Sequence, residues 1–243
     1  MHSGIYTAYS GLKAQMEALD VLANNLANIN TAGFKEQKAF FSALNLALDA
    51  PGATPLEEAI NTHAVLAENA LNASNGPLVE TQRDLDLALV GNGFLTIETP
   101  GGVRHSRNGN LVTDARSVLC TADGHPVLGE GGRIVLGPGR VEISQDGEIL
   151  VAGTRVDRLK LASFDNPSAL LREGNSLLSP NGQLPKPASG TVVRQGYQEQ
   201  SNVNPVLATV RMLEIMRHFE AIQKSVHLMY NEMDAKSIEK LGR

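Results

Sequence analysis

The strongest hydrophobic pattern in the chain lies near its C-terminal end, between Ser201 and Arg243. Asn204 and Pro205 fit the N-cap and the first position of a helix. After them, apolar residues recur at alternating steps of four and three: Ala208, Met212, Ile215, Phe219, Ile222, Val226, Met229 and Met233. A repeat of about 3.5 residues predicts a helix that packs along its whole length against another helix.

The N-terminal end carries the same kind of repeat. Residues 3–30 place apolar side chains at Ile5, Tyr9, Leu12, Met16, Leu19, Ala23 and Leu26. We therefore expect the two terminal helices to lie together as a coiled-coil-like pair. A second apolar row on the C-terminal helix (Val210, Leu213, Met216) stays outside this pair and favours contact with helices of other molecules. A plain two-helix core within one molecule is the alternative.

Asparagines crowd the end of the N-terminal helix. Asn24, Asn25 and Asn28 are poor helix-interior residues, because their amides compete for backbone hydrogen bonds. We expect them to face other polar groups across a contact. Gly33 fits a left-handed C-cap, with Phe34 folded back on the last turn.

The middle of the chain changes character twice. Residues 35–50 are amphipathic and compatible with a helix, and Pro51-Gly52 and Pro55 interrupt the pattern. Residues 56–80 indicate an extended or partly helical connector. From about Leu85 the apolar period becomes two.

Turn signals punctuate this alternating region. They are Gly91-Asn92-Gly93, Pro100-Gly101-Gly102, Asn108-Gly109, Asp123-Gly124 and Asp146-Gly147. Short strands between such turns are typical of an antiparallel all-β lobe, here across residues 85–185, with Val192-Val193 as a further strand. The predicted fold class is α+β. Residues 1–35 and 201–243 form a helical terminal domain, 36–84 a connector and 85–200 a central β domain.

Composition narrows the possible functions. Net charge is −5, aromatic residues make up 4%, and no basic run is present, so nucleic acid is not an expected partner. Cys120 is the one cysteine, which leaves the redox compartment open. The first residues lack a secretory leader pattern, and no apolar run is long enough to cross a membrane.

The sequence contains only weak signals for a catalytic or metal-binding site. None of the six histidines stands four residues from another or beside the cysteine, so no metal pair is predicted. Gly91-Asn92-Gly93 precedes a strand, whereas a dinucleotide loop opens a helix. Asp84 and Asp86 are expected on one exposed strand face. We predict no catalytic residue, no cofactor and no metal.

Three motifs resemble those of the bacterial flagellar basal-body rod and hook family. The N-terminal motif is Asn24-Asn25-Leu26-Ala27-Asn28 with Thr31-Ala32-Gly33-Phe34-Lys35. The central one is Gly91-Asn92-Gly93-Phe94-Leu95-Thr96-Ile97 with Arg107-Asn108-Gly109-Asn110 and Asp123-Gly124-His125-Pro126-Val127-Leu128-Gly129. The C-terminal one is Gln195-Gly196-Tyr197 with Glu199-Gln200-Ser201-Asn202-Val203-Asn204 and Arg217-His218-Phe219-Glu220. Arg116-Ser117-Val118 departs from the family, which has a glycine turn there.

The resemblance implies a structural axial subunit of the periplasm-spanning rod, exported by the flagellar type III apparatus without a cleaved leader. It implies partners among copies of itself and other rod proteins, with peptidoglycan and the basal-body rings as further contacts. A proximal-rod protein fits the motifs, and a distal-rod protein is the alternative.

The hypothesis assigns an assembly interface to both helices. Its residues are Leu12, Met16, Leu19, Asn24, Asn25, Leu26, Asn28, Met212, Ile215, Phe219, Ile222 and Val226. The apolar members pack, and the asparagines fix the register as buried polar pairs do in coiled coils.

Two other classes of function remain as alternatives. A peptidoglycan-binding or peptidoglycan-hydrolysing β lobe requires a cleft with paired carboxylates or an aromatic platform. A membrane-surface protein requires basic residues on the polar faces of the helices, where acids and bases are mixed instead.

Overall fold

The structure is a computed structural model, and it describes residues 2–45, 62–174 and 176–241. Helix α1 (His2–Ala27) and helix α2 (Pro205–Leu241) stand at the two ends of the described chain. Strands and one 3-10 turn, Pro167–Ala169, fill the middle. The prediction of two terminal helices with an antiparallel, strand-rich middle is confirmed, whereas coiled-coil pairing of the helices stays a prediction.

From β3 onwards the strands are short, as expected for a region with frequent turn signals. In chain order they are β1 Gln37–Asn45, β2 Thr62–Leu71, β3 Leu78–Glu80, β4 Leu87–Val90, β5 Phe94–Thr99, β6 Gly102–Ser106, β7 Leu111–Thr113, β8 Leu119–Thr121, β9 Leu128–Gly129, β10 Gly132–Arg133, β11 Val141–Ile143, β12 Glu148–Val151, β13 Thr154–Arg158, β14 Leu161–Ser163, β15 Leu171–Glu173, β16 Leu177–Ser179, β17 Lys186–Pro187, β18 Val192–Gln195 and β19 Tyr197–Glu199.

Residues 37–45 form a strand, so the predicted helix over 35–50 is wrong there; residues 46–50 lie outside the described chain. The Asn25 amide supplies a reason. Asn25 Nδ2 donates to the Gln37 carbonyl over 2.7 Å, and Gln37 N–H donates to Asn25 Oδ1 over 3.0 Å. The side chain thus binds the backbone as a neighbouring strand would. β1 then pairs with β2, and the extended form of the connector is confirmed for Thr62–Leu71 and Leu78–Glu80.

The described residues divide into two compact units. One, the helical unit, comprises residues 1–26, 37–69 and 205–243 where they are described. The other, the β unit, comprises 27–36 and 70–204. A short segment after α1 therefore belongs to the β unit and not to the helical unit.

A six-stranded sheet in the order β15-β16-β6-β5-β14-β17 is the largest element of the β unit. Its neighbours pair antiparallel. Alternation along β5 sends Leu95 and Ile97 into one core cluster and Phe94 into a second one. The first cluster also holds residues of β4, β7, β8, β11, β12 and β18. The second is smaller, and it consists of Leu71, Phe94, Ala162, Phe164, Leu170 and Leu178.

Most turn signals act as predicted. Asp146-Gly147 joins β11 to β12, Pro100-Gly101-Gly102 joins β5 to β6, and Asp123-Gly124 closes a turn after β8 in which Thr121 N–H donates to the His125 carbonyl. Asn108-Gly109 is the exception, because β6 and β7 pair with other strands. There the backbone of Gly109 lies so close to the Leu87 carbonyl that a Cβ on Gly109 would overlap it.

Arg116-Ser117-Val118 forms a turn without glycine. Ser117 takes the left-handed conformation, with φ +60°. Asp114 Oδ1 accepts from the N–H groups of Arg116 and Val118, each over 2.8 Å, and stabilises the turn as an Asx side chain does. The departure from the family's pattern therefore leaves the β7–β8 hairpin in place.

Candidate functional site

Three charged side chains from distant parts of the sequence meet inside the β unit. Lys35 follows α1, Arg107 follows β6, and Glu199 ends β19. Lys35 Nζ lies 2.6 Å from Glu199 Oε1, and Arg107 Nη1 lies 3.4 Å from Glu199 Oε2. All three side chains are almost wholly buried. We call Lys35, Arg107 and Glu199 the charge triad.

Backbone groups complete the hydrogen bonding around Lys35 and Glu199. Gly76 N–H donates to Glu199 Oε1 over 2.8 Å, and Lys35 Nζ donates to the Ser74 carbonyl over 2.7 Å. These bonds are necessary because a buried charge without polar partners is strongly destabilising. The segment at residues 74–76 is therefore part of the site.

Arg107 is surrounded by acceptors and one aromatic ring. It donates to the carbonyls of Leu89, over 3.0 Å, and of Gly91, and to Asn75 Oδ1 over 3.3 Å. Its guanidinium carbon lies 4.9 Å from the centre of the Phe94 ring. Such a position is favourable for a desolvated cation. Arg107 thereby ties the Gly91-Asn92-Gly93 turn to the triad.

The triad holds two cations against one carboxylate. Burial lowers the pKa of Lys35, and the attraction of Glu199 opposes that shift. Burial likewise lowers the pKa of Arg107, again opposed by Glu199. Both cations therefore depend on the same carboxylate for their compensation.

Gly33 brings the N-terminal segment against the triad. Its φ is +64°, and a Cβ on it would overlap the Arg107 backbone carbonyl. Its N–H donates to the Glu199 carbonyl over 2.7 Å. The left-handed conformation agrees with the prediction, but α1 ends earlier, at Ala27, so the C-cap role is wrong. Close approach of the backbones requires glycine here.

Asn202 holds segments 33–36 and 199–202 side by side. Its N–H donates to the Phe34 carbonyl over 3.3 Å, and Glu36 N–H donates to Asn202 Oδ1 over 2.7 Å. Asn202 Nδ2 also donates to the carbonyls of Asn72 and Ser74, each over 2.9 Å. Asn202, shortly before α2, is thus bonded to Phe34 and Glu36 in the segment that follows α1.

Arg172 on the edge strand β15 fixes the same segment from outside. Its guanidinium carbon lies 3.9 Å from the centre of the Phe34 ring, and Nη2 donates to the Lys35 carbonyl. Burial lowers the pKa of Arg172 to about 10. Phe34, expected to fold back on the α1 terminus, is instead buried beneath this guanidinium.

Sequence reasoning did not predict the charge triad, although a signal for it was present. Lys35, Arg107 and Glu199 each belong to one of the three motifs, and each motif contains a glycine or an asparagine whose local role is unclear from the sequence. Their common location in the structure explains why charged residues occur in motifs without evident chemistry.

Most of the predicted assembly residues on the helices are only partly exposed. On α2, Ala208 is buried, and Met212, Ile215, Phe219, Ile222 and Val226 are half-buried. Next to this row, Val210, Leu213 and Met216 are exposed, by 46%, 52% and 43%. The part of these residues in assembly stays a prediction.

On α1 the buried row differs from the predicted seam. Tyr9 and Met16 are exposed by 67% and 56%, Ala23 is exposed, and Leu12, Leu19 and Leu26 are half-buried. Other positions of α1 are more buried: Gly11 is half-buried, and Ala14, Ala18, Val21 and Asn25 are buried. A Cβ built on Gly11 would lie 4.0 Å from Ile222 Cδ1, an ordinary contact distance, so this face of α1 is turned towards α2.

The three asparagines of the N-terminal motif have different surroundings. Asn25 is buried and binds both backbone groups of Gln37. Asn28 is buried, and its Oδ1 accepts from Thr31 Oγ1 over 3.1 Å. Asn24 is exposed. In this structure Asn25 and Asn28 therefore bind their own chain, and their part in register between molecules stays a prediction.

Asp86 departs from the expected exposed pair. Asp84 is exposed, but Asp86 is buried, with Oδ1 3.5 Å from Arg83 Nη1. The prediction that both carboxylates share one solvated face is wrong. The backbone of Asp86 forms an isolated antiparallel β-bridge with Asn110 beside the buried strand β4.

The described residues offer little else that is reactive. Within residues 2–45, 62–174 and 176–241, no group of three or more His, Cys, Asp or Glu side chains is placed to hold a metal ion. Cys120 is buried, and burial raises the pKa of its thiol. No helix in the described part of the chain has the length and apolarity that a membrane span requires.

Three family models match the chain in order. Residues 5–35 match "Flagella basal body rod protein", residues 88–151 match "Flagellar hook protein FlgE/F/G D1 domain", and residues 194–239 match "Flagellar basal body rod FlgEFG protein C-terminal". Each model covers one member of the charge triad. Lys35 and Arg107 lie in the first and second, and Glu199 lies in the third.

Full-length relatives agree with the family models. The chain is 33% identical over 246 residues to the flagellar basal-body rod protein FlgF of Caulobacter vibrioides, which covers 97% of each chain. It is 31% identical to FlgF of Rhizobium meliloti (100% and 99% covered) and 32% identical to FlgG of Buchnera aphidicola subsp. Baizongia pistaciae (93% and 95% covered). With its motifs and full-length similarity in agreement, the chain belongs to the flagellar basal-body rod protein family.

Proposed function

We propose that this chain is a non-enzymatic structural subunit of the flagellar rod, polymerising helically through its terminal helices as part of the drive shaft and export channel. Family membership supports a structural subunit in the flagellar basal body. The observation that carries the mechanism is the apolar surface that α2 exposes.

That surface is concentrated in the first turns of α2. Val206, Leu207, Val210, Leu213 and Met216 are exposed by 73%, 45%, 46%, 52% and 43%. Contiguous apolar surface of this kind is typical of protein–protein contacts. Burying it in an assembly is favourable by about 25 cal/mol for each Å² removed from water.

Exposed apolar residues on α1 point to the kind of symmetry involved. Tyr9 and Met16 are exposed on α1, whereas the larger patch belongs to α2. If the α1 surface of one subunit packs on the α2 surface of the next, the two contacting surfaces differ. Contacts between unlike surfaces produce open helical assemblies when the rotation does not close into a ring.

The charge triad has a supporting part in this proposal. It fixes segments 33–36 and 199–202 to the β unit, and these segments lead out of α1 and into α2. In this proposal α1 and α2 form the inner tube, and the β unit, residues 27–36 and 70–204, forms the outer domain. Partners are further copies and other rod proteins, with the export apparatus, peptidoglycan and basal-body rings as further contacts.

We assign the chain to the proximal rod. Two of the relatives above are FlgF, a proximal-rod protein, and they align over almost the whole of both chains. FlgG relatives align at similar identity, so a distal-rod subunit is the alternative. Labelled-subunit microscopy of isolated basal bodies distinguishes the two positions.

Charge substitutions on α2 test the assembly surface. Leu213→Asp introduces a charge at a position already exposed in the single chain, and Phe219→Asp introduces one into the half-buried row. We expect both variants to keep a folded β unit, measured by protease resistance, and to fail in restoring motility to a strain lacking this protein. Ser225→Asp is the matched control, because Ser225 is an exposed polar residue on the same helix. Normal rods built from Leu213→Asp and Phe219→Asp subunits would contradict the proposal.

A further inference from the structure

Two polar side chains lie inside the smaller core cluster of the β unit. Thr96 on β5 and His105 on β6 stand directly opposite each other in the antiparallel register, and each is 2% exposed. Residues that face each other in this way place their side chains on the same side of the sheet, with Cβ atoms about 4.5–5.5 Å apart. Strand β6 also pairs with β16, where Leu178 stands opposite His105.

Each of these side chains has a buried polar atom that lacks a hydrogen-bond partner within the described chain. The atoms are Thr96 Oγ1 and His105 Nδ1. Buried polar atoms in native proteins are nearly always satisfied, so each of these two atoms is the natural candidate partner for the other. A hydroxyl can donate, and the Nδ1 of a neutral imidazole can accept when the ring proton is on Nε2.

We propose that the Thr96 hydroxyl donates a hydrogen bond to the Nδ1 of neutral His105, and that this pair is an acid-sensitive latch in the middle of the six-stranded sheet. In the proposed pair both side chains turn towards each other from rotamers in which neither atom is hydrogen-bonded. The bond lets a polar pair occupy an apolar layer while the imidazole is neutral. Protonation of His105 places a charge in that layer and destabilises the pairing of β5 with β6.

The surroundings of His105 oppose its protonation. The Phe164 ring stands edge-on to the imidazole at 4.8 Å between centroids. Burial lowers the pKa of His105 to about 4, with Arg104 and Lys160 adding to the shift as neighbouring cations. Strands β14 and β16 contribute no titratable side chain to the layer.

The carboxylates nearest along the packed strands are already bound to arginines. Glu98 on β5 accepts from Arg133 over 2.7 and 3.0 Å, and Glu173 on β15 accepts from Arg104 over 2.6 Å. An imidazolium at His105 would therefore have cations beside it and no carboxylate available for pairing in the described strands around it. Lowering the pH therefore destabilises this part of the sheet.

Histidine NMR on the full-length protein tests the bond directly. At neutral pH we expect the imidazole nitrogens of wild-type His105 to show the proton on Nε2 and an accepting Nδ1. Thr96→Val removes the hydroxyl and keeps the shape. We expect it to raise the titration midpoint of His105 and to increase the unfolding equilibrium constant at pH 7 about fivefold, the effect of one lost neutral hydrogen bond.

Thr96→Ser is the matched control, because it keeps the hydroxyl and loses only a methyl group. Its His105 midpoint is expected to equal that of the wild type. A proton on Nδ1 in the wild-type protein overturns the proposal, and this measurement needs no variant to fold. A Thr96→Val protein with an unchanged midpoint, or with greater stability than the wild type, overturns it as well.

Discussion

Replacing Glu199 by glutamine changes one charge and almost no volume at the centre of the charge triad. The amide oxygen of glutamine can still accept from Gly76 N–H and Lys35 Nζ, as Glu199 Oε1 does now. The packing therefore stays nearly the same. The electrostatics change completely, since Lys35 and Arg107 become two buried cations without a compensating carboxylate.

The magnitude follows from burial of the three side chains. The side-chain exposures of Lys35, Arg107 and Glu199 are 2%, 1% and 0%. Removing one partner of a buried ion pair costs about 3–5 kcal/mol, because the remaining charge is left uncompensated in a poorly solvated place. In a chain of this size that cost lowers the melting temperature by about 6–20 °C.

Thermal and urea unfolding of the full chain, followed by a signal from the β unit, measure this effect. Glu98→Gln is the control, because the same isosteric change is made in a bidentate pair with Arg133 whose side chains are 39% and 56% exposed. We expect Glu98→Gln to change the midpoint little, as is usual for pairs in water. If Glu199→Gln and Glu98→Gln shift the melting temperature equally, the triad does not hold the two terminal segments as argued.

Two further outcomes follow from glycine geometry and from histidine burial. Gly33→Ala is expected to lower the melting temperature far more than Gly124→Ala. Both glycines have positive φ (+64° and +82°), but only at Gly33 would the added Cβ overlap backbone atoms, those of Arg107. Equal shifts in melting temperature would show that close approach of the Arg107 backbone is not what requires glycine at position 33. His105 has a folded-state pKa of about 4, below its ordinary value of 6.5, so its contribution to stability is complete above pH 6.5 and is lost as pH falls towards 4. The loss is about 3 kcal/mol, and His105→Phe is expected to flatten this part of the pH–stability profile measured by urea unfolding.

Features that depend on a few neighbouring residues were predictable from the sequence. The start of α2 at Pro205 follows from Asn204 and Pro205 themselves. The turns at Asp123-Gly124 and Asp146-Gly147 likewise arise from local conformational preference, because glycine takes positive φ at little cost. The period-two pattern after Leu85 predicted strands because successive side chains of a strand point to opposite faces.

Features that depend on pairing across the chain were predicted poorly. Asn108-Gly109 has the composition of a hairpin turn, but Leu87 occupies the space beside it and β7 pairs with β8. The stretch 37–45 has a helix-compatible pattern, but Asn25 bonds its first residue in an extended form. On α1 the larger apolar residues indicated the seam, whereas Ala14 and Ala18 are buried and Gly11 is half-buried.

The sequence by itself determined the two terminal helices, the strand-rich middle and the turns, since each is encoded within a few residues of the backbone it shapes. The tertiary structure alone decided that Lys35, Arg107 and Glu199 share one buried site and that Thr96 faces His105. The physical reason is that a charged or polar side chain is stable inside a protein only when its partner arrives there too. Which partner it meets depends on strand register and on contacts between residues far apart in sequence, and a local sequence pattern contains no information about these.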